Sequence, residues 1–138
     1  MSNGFGPVIG PLVKTPSVNS ACRLDVLGIT ADQAAANIVT PDVSGMVRVS
    51  FYMVLTGPLQ SPFDQFPTIT LGYADETGAN TYALTAEPTV SGSGPGANAN
   101  QTVCLWIEAG TPLTYTISGG GYGSGDLVFS LHIVVETL

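Results

Sequence analysis

Hydrophobic and polar positions alternate along most of this chain, most plainly at its end. There Leu127, Phe129, Leu131, Ile133 and Val135 interleave with Val128, Ser130, His132, Val134 and Glu136. A period of two over this length predicts one long β-strand with a packed face and a second, partly polar face. Such a strand belongs inside a sheet, because left free it frays or recruits other chains. The same period runs through 46–56: Val47, Val49, Phe51, Met53 and Leu55 face one way, and Arg48, Ser50, Tyr52 and Val54 the other.

Weaker runs fill in the remaining elements. Cys22 to Ile29 reads as a first strand, with Leu24, Val26 and Gly28 on one face and Asp25, Leu27 and Ile29 on the other. Ala31 to Asn37 is the one helix-compatible stretch, worth one or two turns. Thr68 to Ala74 and Asn80 to Ala86 form a hairpin around Asp75-Glu76-Thr77-Gly78. Gln101 to Glu108 sets Val103, Leu105 and Ile107 against Cys104, Trp106 and Glu108, and a further strand follows the turn at Ala109-Gly110-Thr111-Pro112. Residues 57–67, with three prolines, and the low-complexity 91–100 read as loops. About seven or eight strands, separated by glycine and proline turns, predict an all-β antiparallel sandwich or jelly roll. No repeat of fixed period points to a propeller or β-helix.

Residues 1–20 differ in character. Pro7, Pro11 and Pro16 exclude a helix and predict an extended arm, and Val8, Ile9, Leu12 and Val13 give that arm an apolar contact surface. The expected organisation is thus an arm over 1–20 and a β-sandwich domain over 21–138.

Composition sharpens this reading. The 138 residues suit one domain with a real core, and only 9% of them are charged, against roughly 25% in ordinary soluble domains. A surface this poor in charge predicts a subunit that buries part of itself against other subunits. With three basic residues, Lys14, Arg23 and Arg48, and a net charge of −7, no basic patch exists to neutralise phosphate. Nucleic acid and anionic membrane surfaces are therefore not expected partners, and no apolar run approaches the ~20 residues that span a bilayer. The start, Met1-Ser2-Asn3-Gly4-Phe5-Gly6, has neither the basic nor the apolar region of a secretory signal, so synthesis in the cytoplasm is expected. The two cysteines, Cys22 and Cys104, read as small hydrophobes, although their spacing leaves a disulfide open.

Candidate chemistry is sparse. His132 is the single histidine, four residues before Glu136, and no Gly-x-Ser-x-Gly elbow supplies a nucleophile, so no enzyme activity is expected. In a trimer, three copies of His132 offer an axial metal site, but the preferred reading is a histidine near a subunit interface, with no metal or other cofactor. Asp75 and Glu76 are adjacent and diverge in an extended chain, and no calcium-loop pattern accompanies them. Arg48, mid-strand, calls for a carboxylate, Glu108 or Glu136. Tyr122 stands alone in a glycine run, Gly119 to Gly125, and is a candidate ligand contact; of Trp106, Tyr52, Tyr73, Tyr82 and Tyr115, most sit at packing positions within strands.

Several of these segments together resemble small β-sandwich proteins of tailed bacteriophages. They are Gly45-Met46-Val47-Arg48-Val49-Ser50-Phe51-Tyr52, the turn at Ala109-Gly110-Thr111-Pro112, Gly121-Tyr122, and the closing Leu131-His132-Ile133-Val134-Val135-Glu136. The layout also resembles trimeric jelly rolls of the TNF and C1q type, in which a tyrosine-rich apolar face meets two others at a threefold axis. The resemblance covers roughly 45–138 and rests on strand and turn patterns. It implies a homotrimeric virion structural protein, foremost a capsid decoration protein bound to the major capsid protein or another virion protein. The alternative is the receptor- or carbohydrate-binding tip of a fibre or spike. Arg48, Tyr52, Tyr115, His132 and Glu136 would then line the subunit interface, and the 1–20 arm would contact the capsid.

Overall fold

The computed structural model describes residues 21–57, 66–85, 96–120 and 127–138. The arm, with Val8, Ile9, Leu12 and Val13, lies outside them, as do Tyr122, residues 58–65 of the 57–67 loop and 91–95 of the 91–100 loop.

The alternating C-terminal stretch is strand β8 (Phe129–Thr137), an interior strand as its pattern requires. It is flanked by β1 (Ala21–Ile29) and β3 (Gly45–Leu55), and β6 (Asn98–Ile107) completes a four-stranded sheet of order β1-β8-β3-β6. The second sheet has the order β2-β7-β4-β5, from β2 (Gln33–Val39), β7 (Leu113–Ser118), β4 (Thr68–Asp75) and β5 (Gly78–Leu84). All pairings are antiparallel. First pairs with last, second with seventh, third with sixth and fourth with fifth, so the chain is one long hairpin wrapped into two layers. That wrapping is a jelly roll.

Burial follows the alternation. Val47, Val49, Phe51, Met53 and Leu55 of β3 and Phe129, Leu131, Ile133 and Val135 of β8 face Ile69, Leu71, Leu113 and Ile117 of the opposite sheet. Phe66 packs on Phe129 with ring centroids 5.3 Å apart and closes one end of the core. Each large side chain removed from water here contributes about 1.5–3 kcal/mol.

Three local expectations are corrected. The helix expected over 31–37 is instead the edge strand β2, because Gln33, Ala36 and Val39 find ladder partners in Ile117, Tyr115 and Leu113 of β7. The helix propensity of three alanines amounts to tenths of a kcal/mol per residue and yields to that pairing. Ile29 is buried on the same side as Leu24 and Val26, since a register shift between Val26 and Ile29, with Gly28 at φ 70°, inserts one extra step. Finally, β6 starts at Asn98, so the last three residues of the expected 91–100 loop are strand.

Candidate interaction face

The outer face of the β1-β8-β3-β6 sheet gathers the chemistry. Because β3 turns its odd-numbered residues inward, Met46, Arg48, Ser50 and Tyr52 project outward. The registers then set them in rows across the strands. Asp25, His132, Tyr52 and Asn100 form one row, Glu136, Arg48 and Cys104 a second, and Met46 with Trp106 a third.

Within these rows the charges are already paired. Nδ1 of His132 donates to Asp25 Oδ1 at 2.6 Å, and Arg23 Nε reaches both oxygens of the same carboxylate at 3.1 Å. The hydrogen bond from His132 and then that from Arg23 hold the Asp25 carboxyl below its ordinary value of 3.8. Arg48 Nε donates to Glu136 Oε1 at 3.0 Å, which raises the already high pKa of the guanidinium. Of the two carboxylates expected for Arg48, Glu136 is the partner. Glu108 instead accepts from Ser44 Oγ at 3.1 Å. The Tyr52 and His132 rings lie with centroids 6.4 Å apart.

Four of the five residues expected at an interface, Arg48, Tyr52, His132 and Glu136, therefore share this one face. Tyr115 does not. β7 turns Leu113, Tyr115 and Ile117 into the sandwich, and with 6% of its surface exposed Tyr115 belongs to the core. Asp25 and Arg23 were not singled out in the sequence, and only the β1–β8 register brings them to His132. Tyr52, Met46 and Trp106 remain 42%, 40% and 40% exposed, large apolar surfaces on a rigid sheet.

The two thiols stand apart. Cys22 faces inward on edge strand β1 and lies near the Ile38 carbonyl at 3.7 Å, while Cys104 is exposed on the outer face of β6, at the opposite edge. They cannot bridge within one chain. The carboxylate of Asp75 accepts from the Thr77 hydroxyl at 2.6 Å and backbone N–H at 2.8 Å, which lowers its pKa and fixes the β4–β5 turn. A groove of about 390 Å³ opens beside the start of β1, lined by Cys22, Val39, Pro41, Val43, Val47 and Val135. Asp42 is its one carboxylate, and no histidine reaches it. Among the described residues no three His, Cys, Asp or Glu side chains group to hold a metal ion.

No protein-family model matches the chain, and no curated protein does. Two solved structures are similar to it. One is a subunit of Bacillus endospore appendages, described as disulfide-linked pili: 16% identity over 87% of this chain and 86% of that one, TM-score 0.39. The other is the Eiger TNF of S. frugiperda: 17% identity over 87% of this chain and 92% of that one, TM-score 0.38. At these values neither likeness bears on what the chain binds.

Proposed function

We propose that the chain is a structural subunit that associates with copies of itself through the outer face of the β1-β8-β3-β6 sheet. In this reading three copies meet around Tyr52 and His132. The observation that carries it is the set of exposed Tyr52, Met46 and Trp106 beside charges that already have partners. Aromatic residues, methionine and arginine are the types enriched at the centres of protein interfaces. An unpaired charge buried there would cost several kcal/mol, and the Arg48–Glu136 and His132–Asp25 pairs reduce that cost before association. The low charge of the chain supports the same reading.

The role proposed for this trimer is decoration of a phage head, with the 1–20 arm contacting the major capsid protein or another virion protein. Burial on the assembled shell would stabilise the shell by mass action. The test is to mix purified protein with expanded, undecorated heads of the phage that encodes it, and to follow sedimentation and thermal rupture. Saturable co-sedimentation with a raised rupture temperature supports decoration. Absence of binding to heads, with binding to host-surface glycan, would instead assign a receptor-binding tip.

A further inference from the structure

The groove beside Cys22 lies at one end of the sandwich, where β1 begins, β2 ends at Val39, β3 begins at Gly45 and β8 ends at Thr137. Val39, Val43, Val47, Ile107 and Val135 give it an apolar wall. Val43 is 77% exposed, the highest value among the described large apolar side chains. A concave apolar wall of this size is the kind of surface that takes a ligand or a short run of side chains.

Three observations select the occupant. The first is continuity. Cys22 is itself a wall residue, so the chain that precedes β1 leaves the fold at the groove. The second is composition, because Val8, Ile9, Leu12 and Val13 of that preceding chain form an apolar run matched to the wall. The third is charge. Asp42 is the one charged residue of the groove, and among the described residues no cation pairs with it. Arg23 is engaged by Asp25 and Arg48 by Glu136. Lys14 is the remaining basic residue of the sequence, the one charged side chain in 1–20, and it directly follows Val13.

We propose that in the free subunit the segment Val8–Val13 docks into the groove of its own chain, with Lys14 beside Asp42. Residues 15–21 make the connection. Fully extended they span about 25 Å, enough to double back, since the groove begins at Cys22. Pro16 within them suits a turn. Tethering gives the chain's own segment an effective concentration of about a millimolar, so at micromolar protein it prevails over the same segment of a second copy. The apolar contact supplies the affinity. Asp42 is exposed, and an ion pair there is screened to little net energy, but it fixes which end of the segment meets the turn between β2 and β3. The inference does not rest on the decoration reading. Where that reading holds as well, the capsid has to draw the segment out of the groove before it can bind it.

Methyl NMR on the full-length protein tests this with no capsid present. Isoleucine, leucine and valine methyls are labelled, and the wild type is set beside Leu12→Asp with Val13→Asp, a change outside the folded core. The proposal expects cross-peaks from Ile9, Leu12 and Val13 methyls to those of Val39, Val43 and Val135. In the double variant these cross-peaks fall at least tenfold, while methyls of the opposite end of the core, such as Leu55 and Leu84, keep their positions. A mixture of labelled and unlabelled protein then separates the two sources of the segment. Cross-peaks confined to one chain support the proposal, and cross-peaks found only between copies overturn it. Absence of any arm-to-groove cross-peak in the wild type overturns it as well.

Discussion

His132 on β8 holds its Nδ1 2.6 Å from Oδ1 of Asp25 on the neighbouring β1, and Arg23 Nε reaches both oxygens of the same carboxylate. The folded chain thus favours ionised Asp25. Because its folded pKa lies below the ordinary 3.8, the stability it contributes is fully present above that value and is lost as pH falls through the folded value. Asp75, lowered by Thr77, acts with the same sign. Asp25→Asn is therefore expected to flatten the fall of the thermal midpoint between about pH 5 and about pH 2, leaving the remainder due to Asp75. Thermal melts of the two proteins over that range check this.

The Arg48–Glu136 pair crosses from β3 to β8 on the same face and is half in solvent, where screening leaves little net stabilisation in a lone protomer. Arg48→Ala is expected to change protomer unfolding in dilute solution only slightly. Its effect falls on assembly, where Glu136 would be buried without its partner. Chemical unfolding, set beside the assembled mass of the variant, separates the two.

Gly57 is buried where β3 leaves the sheet, and its N–H and that of Thr56 both donate to the Val128 carbonyl. A Cβ at this position would stand 2.9 Å from Val128 Cβ and Cγ2 and 3.0 Å from its backbone nitrogen. Gly57→Ala is expected to cost about 1–3 kcal/mol, measured by denaturant unfolding, because the obstructing atoms are fixed near the backbone.

Gln101 faces inward from β6, and among the described residues its Oε1 is buried with no donor in reach. Replacing the side chain with methionine keeps the length and removes the unsatisfied acceptor. Gln101→Met is expected to stabilise the fold by about 1 kcal/mol in the same assay.

How far the sequence carried can be read from particular residues. The strict alternation through Val47–Leu55 and Leu127–Val135 located the two strands that form the centre of the first sheet, and with them the shared face of Arg48, Tyr52, His132 and Glu136. Tyr115 shares the face of Leu113 and Ile117 against Thr114, Thr116 and Ser118, so the alternation already assigned it to the core, where β7 turns it; only the resemblance had set it at an interface. The Ala34–Ala36 run misled because a weak local preference was overruled by β7, a partner distant in sequence. Asp25 was invisible as the partner of His132 for the same reason, since the two are 107 residues apart. Long-range register is the information that local pattern lacks.

The central claim, self-association through the face around Tyr52, is tested most directly by light scattering on the wild type and on Tyr52→Glu at micromolar concentration. The account predicts three times the 14.1 kDa protomer mass for the wild type. It predicts the protomer mass, with unchanged far-ultraviolet circular dichroism, for Tyr52→Glu. A wild type that stays at the protomer mass, or a trimer that Tyr52→Glu leaves intact, would contradict it.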